Sequence, residues 1–324
     1  MIKNNHHDKS YKIVLSKKKN FMTFLRQFIK KNWVKNIDPD SLELCDKGFV
    51  DPFFDELESD IIYKVKIQEV DVYFYVLLEL QSFVDQTMPF RIFYYMAAIW
   101  KRVFNDVMKN EREKVGFKMP IIIPVVFYNG SNGWTPKQRF SEYQEGVEFF
   151  DSEFVTDFKY ILVDIKDSTP EELFANLNAV SAIIVADKAR SSVEELTATI
   201  EKVLKNPVWK SDTEGLDDFL FWVVNALKRT SLDDDRIKEF IESVKKGEPD
   251  MEKVSIDYIV ERYKAEGKAE GRAEGEAEGE ARGELKGKIS VYFTEMNLTI
   301  QQIAEKLGIG EKDVKATLDE LQLA

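Results

Sequence analysis

Three polar residues, Asp60, Glu79 and Gln81, flank two strand-like runs and are the strongest candidates for chemistry in this sequence. Asp60 opens the run 60–67, and the other two follow the apolar run 72–78. On a strand, positions 79 and 81 share one face. Two carboxylates with a nearby carbonyl suit Mg²⁺. Carboxylates at strand ends are common on protein surfaces, however, so spacing alone favours an ordinary solvated pair.

The sequence lacks the residues that other kinds of catalytic site require. The histidines are His6 and His7, in a terminal arm, so a hydrolase triad has no plausible base and a histidine-rich metal site is excluded. Cys45 is the single cysteine, which excludes an internal disulfide and a CxxC zinc site. The sequence contains neither a P-loop motif nor GxGxxG after a strand. Carboxylate chemistry remains.

The composition is that of a folded protein with enough hydrophobic residues to form a sizeable core. The chain has 324 residues, about two domains by length, with 44% hydrophobic residues and a formal charge of −12. No window approaches the ~18 consecutive apolar residues of a membrane span, and the polar N-terminus lacks an apolar signal core. We therefore expect a reduced, cytoplasmic protein without a membrane segment.

The charge is unevenly distributed, since residues 1–35 contain ten Lys and Arg but one acid, Asp8. Residues 19–32 place aromatic and aliphatic side chains at helical spacing with cations opposite them, which predicts an amphipathic helix. Two interpretations stay open for this basic segment: a solvated helix face, or a source of phosphate contacts that the acidic remainder lacks.

The central part of the sequence predicts a mixed sheet. Runs 60–67 and 72–78 are separated by a short polar segment, which predicts a hairpin. A helix is expected over 88–109, followed by strands at 120–127 and 159–164. Pro124 predicts that its strand is an edge, contains a bulge or is split. The fold class is therefore α/β, with helices flanking the sheet.

The C-terminal part is predicted to be helical over 171–244 and again in the tail. Between them, residues 265–288 carry a glycine at every fourth position, which allows either a semi-flexible charged spacer, our preference, or a helix through which the chain forms a homo-oligomer. Residues 298–318 predict two short helices with helix-turn-helix spacing. The second helix is acidic, so sequence-specific DNA binding by this pair of helices is disfavoured.

Several segments together resemble the recombination-promoting nuclease (Rpn) and putative transposase family, which belongs to the PD-(D/E)XK nuclease superfamily. The resemblance covers most of residues 7–290. The matching segments are 59–66, 75–82, 88–91, Tyr95–Met96 with Trp100, His7–Asp8, Tyr11–Lys12, 120–130 and the four-residue repeat.

This resemblance implies a PD-(D/E)XK-type mixed sheet that hydrolyses DNA phosphodiester bonds with Mg²⁺ or Mn²⁺. Asp60 and Glu79 match the metal-binding positions of the family. Gln81 stands where the wider superfamily has lysine, and its amide supplies no positive charge at the transition state. The sequence therefore predicts a metal-dependent DNA endonuclease that promotes recombination. The alternative is a catalytically weak or inactive assembly module.

Four regions and a set of DNA contacts follow from this hypothesis. Residues 1–170 would form the nuclease-like core, 171–262 a helical region, 263–290 the glycine repeat and 291–324 a small helical pair. The expected DNA contacts are Lys12, Lys17, Lys18, Lys19 and Arg91.

Overall fold

A computed structural model describes residues 5–45, 61–68, 70–79, 84–130, 132–230, 234–245, 283, 285–307, 309–321 and 323. The chain folds into two compact units, Met1–Val260 and Glu261–Ala324. None of the helices in the described ranges is long and apolar enough to cross a lipid bilayer.

The first unit contains a five-stranded sheet whose strands lie side by side in chain order. The strands are β1 (Glu43–Leu44), β2 (Ile61–Ile67), β3 (Val70–Glu79), β4 (Ile121–Tyr128) and β5 (Ile161–Asp164). β2 is antiparallel to both of its neighbours, β1 and β3, whereas β3, β4 and β5 are parallel. The predicted α/β class with a mixed sheet is confirmed, as is the β2–β3 hairpin.

The helices of this unit surround the sheet. They are α1 (Asn5–Leu15), α2 (Lys18–Phe28), α3 (Met88–Asp106), α4 (Lys109–Arg112), α5 (Pro170–Ala175), α6 (Ala179–Lys188), α7 (Val193–Leu204), α8 (Thr213–Lys228) and α9 (Asp234–Lys245). The predicted amphipathic helix over 19–32 is α2, but it ends at Phe28 because Ile29 is extended. The helices after Pro170 confirm the predicted helical region.

Two consecutive aromatic side chains of β3, Phe74 and Tyr75, contact helices on opposite faces of the sheet. Phe74 packs edge-on against Phe21 of α2, and the same Phe21 ring stacks on Tyr63 of β2 with centroids 4.1 Å apart. Tyr75 packs against Tyr95 of α3, with ring centroids 5.3 Å apart. The sheet therefore lies between α2 and α3, which explains why β3 is apolar at nearly every position.

Pro124 lies within a continuous strand, so the predicted bulge or split is wrong. Nor is β4 an edge of the whole sheet, since it pairs with β3 and with β5. Pairing with β5 begins only at Val125, however, so β4 has a single neighbour at Pro124. A residue without an N–H is tolerated there because one side of the strand needs no ladder hydrogen bond.

A buried carboxylate connects α6 to α1. Asp187 is 4% exposed, and the hydroxyl of Tyr11 donates a 2.9 Å hydrogen bond to its Oδ2. Nε of Arg190 lies 2.6 Å from Oδ1. Burial raises the pKa of Asp187 to about 6, although Arg190 and the hydrogen bond from Tyr11 act in the opposite direction. The acid is therefore costly to ionise in the folded chain.

The second unit contains three helices within its described residues, α10 (285–294), α11 (Ile300–Leu307) and α12 (Glu311–Glu320). They enclose a small apolar core formed by Ile289, Ile303, Ala304, Val314 and Leu318. The two predicted tail helices are confirmed. Helix α10 was not predicted from the sequence; it begins inside the glycine repeat and contributes Ile289 to this core.

Candidate functional site

The candidate metal-binding positions flank the β2–β3 hairpin in the sequence. Asp60 and Gln81 are outside the described residues, and of Glu79 only the backbone, the last position of β3, is described. Ile61, which follows Asp60 in sequence, pairs with Val76. The strand that begins after Asp60 therefore starts beside the part of β3 that leads to Glu79.

β4 and β5 end at the same level of the sheet as β3. Glu79 is in register with Tyr128 of β4, and Tyr128 is in register with Asp164 of β5. Because these strands are parallel, their carboxyl ends meet at one edge, where α/β sheets commonly bind ligands. Asp164 was not singled out from the sequence; its side chain accepts a 2.9 Å hydrogen bond from the backbone of Lys166.

An aromatic cluster packs at this edge of the sheet, next to the end of β4. Trp134 packs edge-on against Tyr128, with centroids 4.9 Å apart, and donates a 2.9 Å hydrogen bond to the hydroxyl of Tyr160. Burial raises the pKa of Tyr160 to about 12, so its hydroxyl stays protonated and donates to the carbonyl of Lys137. These contacts fix the connection that follows β4.

Gly130 is required by the same cluster. A Cβ atom at position 130 would lie 2.1 Å from the hydroxyl oxygen of Tyr128, which donates a hydrogen bond to the carbonyl of Asn132. The glycine at position 130 therefore has a packing reason.

Arg91 lies in the first turn of α3 and is held by an acid. Its Nη1 donates a 3.0 Å hydrogen bond to Oδ2 of Asp85, whose Oδ1 accepts from the backbone and hydroxyl of Thr87. Partial burial acts to raise the pKa of Asp85, but the hydrogen bonds from Thr87 and Arg91 outweigh it and lower the pKa. Gln86 also bonds to Thr135, at 2.6 Å, so this segment contacts the connection after β4.

Two lysines expected to contact DNA form ion pairs with α8 and the residue before it. Nζ of Lys17 lies 2.5 Å from Oδ1 of Asp218, which is 1% exposed and also accepts from Asn20. Nζ of Lys19 lies 2.5 Å from Asp212. These contacts attach the α1–α2 corner to the C-terminal helices, a structural use that was not predicted from the sequence.

The remaining basic residues of this segment are more accessible. Lys18 is exposed and Lys12 is half-buried. Four further cations are exposed, and within the described ranges none of them belongs to an ion pair: Arg26, Lys30, Lys31 and Lys35. These four cations belong to the basic segment recognised from the sequence, and the stretch 21–37 contains them and no acid.

No group of three His, Cys, Asp or Glu side chains that could hold a metal ion occurs among the described residues. Asp60, Gln81 and the side chain of Glu79 do not belong to those residues. The predicted metal ligands, the Mg²⁺ or Mn²⁺ cofactor and the DNA contacts therefore stay predictions.

Comparison with known proteins finds relatives named as recombination-promoting nucleases and as inactive nuclease-like proteins. Recombination-promoting nuclease RpnD of Escherichia coli O157:H7 is 34% identical over 130 residues, which cover 40% of this chain and 47% of RpnD. Recombination-promoting nuclease RpnA of E. coli K12 is 23% identical over 271 residues, or 81% of this chain and 84% of RpnA. An inactive recombination-promoting nuclease-like protein of the same strain, RpnE, is 22% identical over 266 residues, covering 81% of this chain and 82% of RpnE.

No solved structure matches the chain. The family model described as "Putative transposase, YhgA-like" matches residues 5–214, which include all five strands and helices α1 to α7. This chain belongs to the YhgA-like putative transposase family.

Proposed function

We propose that this chain is a metal-dependent DNA endonuclease of the PD-(D/E)XK type that promotes recombination. Family membership and relatives named as recombination-promoting nucleases support this proposal. The observation that carries the site assignment is the register of the β2–β3 hairpin.

The hairpin register, extended by one residue, would bring the two acidic positions to the same end of the sheet. Pairing of Ile61 with Val76, continued by one residue, would place Asp60 opposite Leu77. With about 4.8 Å between strands and about 3.4 Å per residue, the Cα atoms of Asp60 and Glu79 would be about 8 Å apart. Two carboxylate side chains can bridge that separation through one cation with ligand distances of about 2.1 Å.

Alternation along the strands supports the same arrangement. Ile62 and Tyr75 are paired, and both belong to the cluster that packs on α3. Positions 60 and 79 have the same alternation as Ile62 and Tyr75, so they would share the α3 face of the sheet. Arg91 projects from the first turn of α3 on this face, where a phosphate group would have to compete with Asp85 for its guanidinium.

The residues assigned to this site have distinct roles. Asp60 and Glu79 would hold the cation, while the amide of Gln81 would orient a water molecule or a phosphate oxygen. A divalent cation bound there would polarise the phosphoryl group and lower the pKa of an attacking water. Since Gln81 carries no charge, Arg91 is the cation that we assign to this face.

Lys12, Lys17, Lys18, Lys19 and Arg91 remain the proposed DNA contacts, and their exposure and ion pairs differ. Lys17 and Lys19 already have acidic partners, so a phosphate group would have to compete with Asp218 and Asp212. Lys18 is exposed and would contribute more to salt-dependent binding.

Plasmid nicking tests the assignment. The folded chain should convert supercoiled plasmid to open circles with Mg²⁺ or Mn²⁺ and not with EDTA. Asp60→Ala and Glu79→Ala should each reduce the rate at least ~100-fold, because each removes a metal ligand. Glu43→Ala, at an exposed acid on β1, is the matched control and should retain the rate. Nicking that survives both substitutions would refute the assigned site.

A second candidate function is a catalytically weak or inactive assembly module. The name of RpnE, an inactive nuclease-like relative, favours it, as does the uncharged Gln81. The repeat 265–288 lies outside the described residues apart from 283 and 285–288. At Gly283 and Gly287, a Cβ atom would contact nothing within 4 Å, so this part of the stripe is open for a helix to approach.

Sedimentation velocity distinguishes this alternative. An assembly module should show no metal-dependent nicking and should sediment as an oligomer at micromolar concentration. Replacing Gly271, Gly275 and Gly279 by Leu should dissociate that oligomer, because the larger side chains block close approach between helices. A monomer that nicks DNA would exclude the module.

A further inference from the structure

The connection between β4 and β5 exposes three phenylalanine rings in the segment 141–155, which we name the acidic aromatic loop. Phe149, Phe150 and Phe154 are 79%, 66% and 72% exposed. Single exposed apolar residues are normal on protein surfaces, whereas three exposed rings within six residues concentrate apolar surface in one short segment, and exposed apolar surface of this kind marks interaction sites.

The loop is also strongly acidic. Its fifteen residues include five acids and no Lys or Arg: Glu142, Glu145, Glu148, Asp151 and Glu153. All five are exposed, and in the part of the chain that the structure describes none of them forms an ion pair. A local charge of −5 therefore surrounds the phenylalanine rings without an internal counter-charge.

Short 3₁₀ turns, Ser141–Tyr143, Val147–Phe149 and Ser152–Phe154, fix the loop in this form. Gly146 precedes the second turn with φ of +80°, a conformation that other residues rarely adopt. The side chain of Gln144 crosses the loop and donates a 2.5 Å hydrogen bond to the carbonyl of Thr156. The phenylalanine rings are thus exposed on an ordered backbone.

Stacked aromatic rings anchor the base of the loop to α3. Phe140 stacks on both Phe93 of α3 and Phe158, with centroid separations of 4.9 and 5.2 Å, and those two rings lie 6.3 Å apart. Arg139 pairs with Asp157 across the same base. Because the loop is ordered before it binds anything, a partner would not have to meet the entropy cost of ordering it.

We propose that the acidic aromatic loop is a docking surface for a segment of another protein that combines Lys or Arg with apolar side chains on one helical face. The five acids repel DNA and RNA phosphates and anionic lipid, so neither a nucleic acid nor such a membrane fits. The exposed rings require apolar contact, so a purely cationic segment is also insufficient. A cationic amphipathic helix satisfies both requirements, with apolar anchors on the rings and cations at the rim.

Fluorescence anisotropy with three labelled synthetic 16-residue peptides tests this proposal on the full chain. The first has Lys and Leu at helical spacing, the second replaces each Leu by Ser, and the third replaces each Lys by Glu. The Lys/Leu peptide should bind at least tenfold more tightly than the other two. In the triple variant Phe149→Ser, Phe150→Ser, Phe154→Ser, its Kd should rise at least tenfold although the charge is unchanged.

Matched variants locate the binding. Met108→Ser with Val115→Ser removes exposed apolar side chains from another region and should leave the Kd unchanged. Glu148→Gln, Asp151→Asn and Glu153→Gln together should weaken binding and flatten its salt dependence. The melting temperature should confirm that every variant is folded.

Three outcomes would overturn the proposal. The Lys/Leu peptide could bind the triple phenylalanine variant as tightly as the original chain, which would place binding elsewhere on an acidic protein. The glutamate peptide or duplex DNA could bind the loop equally well. Sedimentation velocity could show self-association that the phenylalanine substitutions abolish, which would make a second copy of this chain the occupant.

Discussion

The hydroxyl of Tyr128 occupies the space where a side chain at position 130 would begin. Because Tyr128 is fully buried and bonded to Asn132, it cannot move away without loss of packing. We expect Gly130→Ala to destabilise the chain by about 1–3 kcal/mol, the usual cost of overpacking. The measurement is the free energy of unfolding in urea.

Gly133→Ala is the control for this prediction. It lies three residues later in the same connection, and a Cβ atom there would contact nothing within 4 Å. Its unfolding free energy should stay within about 0.5 kcal/mol of the original, as for most surface substitutions. Equal stabilities of the two variants would contradict the packing explanation.

Residue identity alone could not assign the roles of the basic residues. Lys17, Lys18 and Lys19 are adjacent and identical in type, yet Lys17 and Lys19 have acidic partners 201 and 193 residues away. A single sequence contains no information about which distant residues meet. The candidate metal ligands were predictable only as positions at strand ends, since their use depends on how the two strands pair.

At the scale of elements, the contact between α6 and α1 makes stability depend on pH. The folded pKa of Asp187, about 6, lies above the unfolded value of about 3.9, so the folded chain gains a proton first as the pH falls. The contribution of Asp187 to stability should therefore increase as the pH falls from about 6 to about 4. Relative to Asp187→Asn, the original chain should gain about 1 kcal/mol from about pH 7 to about pH 5, measured by urea unfolding at both pH values.

Tyr11→Phe provides an independent check on this pH dependence. It removes the hydrogen bond that lowers the pKa of Asp187, so the pKa should rise further and the gain in stability should begin at a higher pH. An identical pH profile in the two chains would show that the hydroxyl of Tyr11 does not act on Asp187.

Strong apolar runs made most elements predictable, and local exceptions caused the errors. β3 and β4 are apolar because both faces of the sheet are covered, a pattern that is visible in the sequence. Pro124 was misjudged because the position where β5 begins to pair is set by three-dimensional register. α10 was missed because glycine at every fourth position lowers helix propensity, whereas the core around Ile289 restores the helix.

At the scale of the whole molecule, the matched family region ends inside α8, at residue 214. Residues that follow include Asp218 and the fully buried Phe219 and Trp222. We expect a fragment of residues 1–214 to lose its cooperative unfolding transition, because removing a single buried Phe or Trp side chain costs about 3–5 kcal/mol against a typical total of about 5–15 kcal/mol. Urea unfolding followed by near-ultraviolet circular dichroism measures this.

A fragment of residues 1–260 is the matched comparison, because it corresponds to the first compact unit. It should unfold cooperatively, with a midpoint close to that of the full chain. Cooperative unfolding of residues 1–214 with the same midpoint would show that α8 is dispensable.

The pairing of Lys17 with Asp218 also has a consequence for synthesis. The two residues are 201 positions apart, and a ribosome adds about 5–20 residues per second, so Lys17 is made roughly 10–40 s before its partner. During that interval the first two helices of each nascent chain present a cationic, aromatic-rich segment that has not yet met its acidic counterpart. Chaperones and nucleic acids near the ribosome thus encounter this segment before the protein has buried it.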